Sequence, residues 1–110
     1  MAALTLSVPT TAGVIVTQNA ASASDTITQA QLGTQGVNLR ISTAGTGSTV
    51  TVSDGGTTPA NNPGTPTGVV MAATQIRYVY ISPSQVNLGT GLVTITSTSQ
   101  TNLFYEVVPA

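Results

Sequence analysis

Residues 36–56 read GVNLRISTAGTGSTVTVSDGG, and this stretch decides the fold class. In its first half, Val37, Leu39 and Ile41 alternate with polar side chains. Residues 49–53, TVTVS, repeat the same period with β-branched side chains. Alternation of this kind gives a strand one apolar and one polar face, so both segments are predicted to be half-buried strands. The glycine-rich residues 43–47 between them predict a hairpin loop.

The same two-residue period extends in both directions along the chain. Residues 24–32 could form a capped helix that stops at Gly33, but Thr26, Ile27 and Thr28 are weak helix formers and favour a short strand followed by a loop or a single turn. Further strands are predicted at residues 4–8, 13–18, 25–28, 76–81, 92–98 and 103–108. The fold is therefore predicted to be all-β: a single antiparallel β-sandwich or jelly-roll-like barrel of about seven or eight short strands.

The 110 residues are predicted to form one domain. Residues 1–12 are a possible N-terminal arm. Residues 57–67 are predicted to be a long exposed loop, because Pro59, Pro63 and Pro66 lack the N–H that a central strand donates. No apolar stretch approaches the roughly 20 residues of a spanning helix, and no signal peptide is visible, so no membrane partner is expected.

Charged residues make up only 5% of the chain, whereas an ordinary soluble domain carries roughly 25%. They are Arg40, Arg77, Asp25, Asp54 and Glu106, and the chain has no Lys, His, Cys or Trp. Without His or Cys there is no triad-type nucleophile and no imidazole or thiolate metal site. Two arginines cannot neutralise a run of phosphates, so nucleic acid is not an expected partner.

The three carboxylates give little support to an enzyme. Asp25 and Asp54 lie on separate elements, and nothing in the sequence brings them together as an acid/base pair. The stretch Asp54-Gly55-Gly56 has one carboxylate where a calcium loop needs several oxygen ligands, so a turn is the better interpretation. Glu106 is expected to pair with an arginine. No catalytic residue, cofactor or metal site is predicted.

The residues that stand out are candidates for an interface. Arg40 and Arg77 each stand between apolar residues on a strand, and arginine is enriched where proteins meet. Tyr78 and Tyr80 share one face of the segment IRYVYI; they are either interface residues or part of the core with their hydroxyls at its rim. An N-terminal strand could also add to a neighbouring sheet, which makes further contact candidates of Leu4, Leu6 and Val8.

The order of the segments resembles a family of small capsid-associated proteins of tailed bacteriophages, especially those infecting actinobacteria. The resemblance runs from Asp25-Thr26-Ile27 through GVNLRISTAG (36–45) and STVTVSDGG (48–56). It continues through AATQIRYVYISPSQVN (72–87) to GLVTITSTSQTNLFYEVV (91–108). The chain departs from the family where Met71-Ala72-Ala73 stands in place of PAG, and at its end, which is not basic.

The resemblance implies a decoration or cement protein: a β-sandwich that docks on the outer surface of the phage head and bridges subunits of the major capsid protein. It also implies a homo-oligomer, with a trimer as one form. A nearly uncharged surface agrees with this, because little self-repulsion opposes association. The alternatives are a tail or head-tail connector component, or an extracellular adhesive or carbohydrate-binding module.

Overall fold

Strands account for most of the ordered backbone in the computed structural model, which describes residues 2–55 and 67–110. The helical elements are short: α1 (Gln29–Leu32), which Thr28 caps, and one 3-10 turn at Pro83–Gln85. Within the described residues the strands are β1 (Ala2–Ala3), β2 (Asn19–Ala20), β3 (Ser24–Thr28), β4 (Val37–Thr43), β5 (Ser48–Val52), β6 (Thr67–Met71), β7 (Ile76–Ile81), β8 (Leu92–Ser97) and β9 (Leu103–Pro109).

The strands form two sheets that enclose one core. The first sheet has the order β1-β3-β8-β5-β6 and the second the order β2-β9-β4-β7; every pairing is antiparallel except β1 with β3. The inward side chains of both sheets belong to one aliphatic cluster, which includes Ile27 and Ile95 from the first sheet and Leu39 and Val107 from the second. The predicted all-β sandwich is confirmed.

Residues 2–8 join the two sheets along one open side of the sandwich. The Leu4 N–H donates to the Thr26 carbonyl of the first sheet at 2.9 Å, and the Ser7 N–H donates to the Val107 carbonyl of the second at 2.8 Å. Leu4 is buried in the core and Leu6 packs against it. This part of the predicted N-terminal arm therefore belongs to the chain's own sandwich, because Leu4 and Leu6 complete its core.

The predicted hairpin at residues 43–47 is wrong. β4 lies in the second sheet between β9 and β7, whereas β5 lies in the first sheet between β8 and β6, so the connection passes from one sheet to the other. The Gly45 N–H holds the crossing by donating to the Ala73 carbonyl at 2.6 Å. Alternation and glycines reveal strands and turns, but the choice of pairing partner depends on distant strands.

The strand bounds decide two further predictions. Residues 25–28 form a strand followed by one helical turn, as predicted, with Gly33 directly after the turn. The strand predicted at residues 13–18 is absent, and β6 was not predicted. Of the predicted loop at residues 57–67, residues 57–66 lie outside the described part of the chain and Thr67 is the first residue of β6. In the described ranges no helix is long and apolar enough to cross a membrane.

Candidate docking face

The solvent side of the second sheet, called here the outer face, collects the largest side chains that the core leaves out. Val37, Leu39 and Ile41 of β4 point inward and are fully buried, so the alternate residues point outward. The cross-strand register then places them in three rows: Tyr80–Asn38–Val108, Tyr78–Arg40–Glu106 and Ile76–Ser42–Phe104.

Strand β7, at the edge of this sheet, contributes most of the apolar surface. Tyr78 is 67% exposed, Ile76 56% and Tyr80 53%, although such residues ordinarily lose much of their surface on folding. Because they stand at every second position of one strand, their side chains lie on one side in a continuous stripe. An exposed apolar stripe of this kind is a candidate docking surface.

A single ion pair lies at the centre of the outer face. The Arg40 guanidinium donates to Glu106 Oε1 at 2.7 Å, which confirms the expectation that Glu106 pairs with an arginine. Both side chains are partly exposed, so the pair contributes little to folding stability. Because the pair joins the only cation and the only anion in these three rows, the outer face is close to neutral.

Tyr80 is held in place from the side. Its hydroxyl donates to the Gln35 carbonyl at 2.7 Å, and its ring lies over Gly36, whose missing Cβ would stand 3.0 Å from the ring. The hydrogen bond fixes the ring, so a partner that packs on Tyr80 loses little additional side-chain entropy. Tyr78, one row away, has no such restraint among the described residues.

An open groove of about 440 Å³ lies at the third row of the outer face. Ile76 and Phe104 form its apolar walls, and Arg40 and Gln18 border it from neighbouring strands and from the segment before β2. Its complete lining is Gln18, Arg40, Ser42, Thr43, Ala44, Thr74, Gln75, Ile76 and Phe104. Grooves of this size accommodate side chains or small ligands.

A second exposed apolar feature lies beside the face. Residues 8–16, called here the apolar loop, leave the sandwich after Ser7 and return to it at Thr17. The Thr17 N–H donates to the Ser7 hydroxyl at 2.9 Å. Ile15 at the loop's far part is 93% exposed. The other large apolar side chains of the loop, all exposed, are Val8, Val14 and Val16.

The interface candidates from the sequence divide into three groups. Arg40, Tyr78 and Tyr80 come together on the outer face, where both tyrosines prove to be surface rather than core residues. Arg77 is exposed but belongs to the opposite side of β7, because its register partner Ile41 is buried.

The N-terminal candidates separate from one another as well. Leu4 is buried in the core and Leu6 packs against it, so the expectation that these two residues contact another molecule is corrected. Val8 is exposed on the apolar loop. Ile76 and Phe104 were not predicted from the sequence as interface residues. Ile76 stands two residues before Tyr78, so the period of β7 could have identified it.

The carboxylates do not assemble into a site within the described residues. Asp25 is fully buried and accepts hydrogen bonds from the Ser22 N–H at 2.9 Å and the Ser22 hydroxyl at 2.6 Å. Glu106 is paired with Arg40. In residues 2–55 and 67–110 no three acidic, histidine or cysteine side chains lie close enough together to hold a metal ion.

The titration of Tyr105 is displaced by its position in the core. Its hydroxyl is fully buried in the described structure and lacks a partner with hydrogen-bond geometry. Burial raises the pKa of Tyr105 to about 12; the nearby Ser97 side chain lowers it in part, and the Asp25 carboxylate raises it.

This displacement predicts a loss of stability in alkali. In the unfolded chain the tyrosine ionises near its ordinary pKa of 10.0, whereas in the folded chain it stays protonated up to about pH 12. The contribution of protonated Tyr105 to the free energy of unfolding is therefore fully present below pH 10. It is lost as the pH rises to about 12, by roughly 3 kcal/mol in all. Urea unfolding across this range should show the loss in the wild type and not in Tyr105→Phe. Parallel pH profiles for the two proteins would contradict it.

Comparison with protein-family models gave no match, and comparisons with curated proteins and with solved structures gave no significant match.

Proposed function

We propose that this chain is a structural virion protein: a capsid decoration protein that binds the outside of an assembled phage head through its outer face. The observation that carries the proposal is the exposed pair of Tyr78 and Tyr80 beside a self-neutralised ion pair. Such a surface favours packing against another protein, because aromatic residues supply contact area and no unpaired charge has to lose its water. The resemblance of the segment order supports the phage head as the partner.

The mechanism is non-covalent and depends on many copies. Each copy docks the tyrosine side of its outer face across neighbouring subunits of the major capsid protein, and each contact is modest. Because the subunits of a shell are already fixed relative to one another, contacts that one copy makes to two of them add up as avidity. The near absence of charge makes such contacts insensitive to salt, since few screened ion pairs contribute to them.

Imaging of particles tests the proposal directly. Virions would be produced from the genome that encodes this chain, with and without its gene, and both would be imaged by cryo-microscopy. We expect density that fits a body of 42 × 36 × 21 Å on the outer shell of the first sample and its loss from the second. Density confined to the tail or the portal would replace this proposal with a tail or connector role.

A second function has one observation in its favour. Tyr78 and Tyr80 form an exposed aromatic pair on a sheet face, and aromatic rings of this kind can stack on sugars. The chain would then be an extracellular carbohydrate-binding module. A glycan array distinguishes the two functions. Specific, saturable glycan binding that Tyr78→Ala abolishes supports the carbohydrate-binding module, and the absence of glycan binding favours the structural role.

A further inference from the structure

We infer that the apolar loop of one copy packs into the groove of a second copy, and that the second copy returns the same contact. The proposal concerns contacts between copies of this chain and holds whatever molecule the tyrosines of the outer face bind. Two features carry it: an apolar projection and an open apolar groove.

Hydrogen bonds hold the apolar loop in place outside the core. At its base, the Thr17 N–H donates to the Ser7 hydroxyl at 2.9 Å and the Thr5 N–H donates to Asn19 Oδ1 at 3.1 Å. Its turn is closed at Gly13, whose N–H donates to the Thr10 carbonyl at 3.0 Å. These bonds set the loop's course independently of the core, and Ile15 is left 93% exposed. Full exposure of such a side chain is unfavourable unless another surface covers it.

The groove has complementary chemistry. Its apolar walls, Ile76 and Phe104, suit branched aliphatic side chains such as Val14 and Ile15. Arg40, the only charged residue in its lining, is neutralised by Glu106 at 2.7 Å, so an incoming aliphatic side chain does not strand a free cation. The loop itself carries no charge. A second copy therefore brings an occupant that matches the groove in polarity.

The positions of loop and groove favour a reciprocal pair. Gln18 lines the groove and follows the apolar loop in the chain, separated from it only by Thr17, so the base of the loop lies close to the groove. When a projection and its receptor are adjacent, a two-fold axis between two copies places each loop on the other copy's groove. Such a dimer closes on itself and uses both contacts.

Sedimentation velocity over a range of concentrations measures the association, with unfolding curves to verify that each variant folds. The loop variant is Ile15→Asp, and its matched control is Leu88→Asp, because Leu88 is also highly exposed but belongs to neither loop nor groove. The groove variant is Ala44→Trp, which fills the groove from an exposed position. We expect a concentration-dependent dimer in the wild type and in Leu88→Asp, and dimerisation at least about 30-fold weaker in the other two.

Mixing the two defective variants identifies the contact. The copy with Ile15→Asp keeps a groove and the copy with Ala44→Trp keeps a loop, so the mixture regains one of the two contacts and forms more dimer than either variant alone. A wild type that stays monomeric at every concentration, a dimer that Ile15→Asp leaves intact, or a mixture no better than its components would each overturn the inference.

Discussion

Replacing Gly36 by alanine should destabilise the domain by about 3–5 kcal/mol. Gly36 has φ +81, a conformation that side chains with a Cβ rarely adopt. Its missing Cβ also faces the Ile81 carbonyl at the end of β7 and the Tyr80 ring at 3.0 Å. An alanine would have to displace the backbone of β7 as well as strain its own, so both costs add.

The matched control for this change is Gly45→Ala. Gly45 also has positive φ, +98, but no atom lies within 4 Å of the position its Cβ would take. Only the backbone strain remains there, at about 1–2 kcal/mol. Urea unfolding of both variants measures the difference. Equal losses of stability would show that β7 does not approach Gly36 as described.

Leu39→Ala should have an effect of similar size by a different cause. Leu39 is fully buried on β4, which lies between β9 and β7 in the second sheet. Truncation removes apolar contacts and leaves a cavity that the surrounding strands cannot fill, at a cost of about 2–5 kcal/mol. Because a domain of this size has only about 5–15 kcal/mol of stability in total, the variant would lose a large share of it.

Leu88→Ala is the corresponding control on the surface. Leu88 is 83% exposed, so the same chemical change should alter the free energy of unfolding by no more than about 0.5 kcal/mol. Chemical unfolding of Leu39→Ala and Leu88→Ala measures the free energy that the same substitution costs at a buried and at an exposed position. Similar losses at both positions would contradict the placement of Leu39 in the core.

The sequence predicted those parts of the fold that depend on local alternation. β4, β5 and β9 each have one buried face set by side chains at every second position, so their period was visible. Residues 13–18 misled the prediction, because Val14, Ile15 and Val16 are β-branched and favour a strand in isolation. In the structure β9 pairs with Asn19–Ala20 instead, and the preceding residues remain on the surface.

The candidate face was predictable only in part. Alternation placed Arg40 on the polar side of its strand and put Tyr78 and Tyr80 on one face. That Arg40 lies between Tyr78 and Glu106 depends on the register of β4 with β7 and β9, strands far apart in the chain. The groove could not be predicted, since its walls come from β7 and β9 and from the segment before β2.

We propose that the tyrosine side of the outer face binds the phage head. The most direct test of this claim is co-sedimentation of the purified chain with heads that lack it, comparing the wild type with Tyr78→Asp and Val70→Asp. Tyr78 and Val70 are similarly exposed, at 67% and 70%, but Val70 belongs to the first sheet. We predict saturable binding of the wild type and of Val70→Asp, and binding weakened at least about 30-fold in Tyr78→Asp with unchanged unfolding behaviour. Binding that is the same for all three proteins, or absent for the wild type, would contradict the claim.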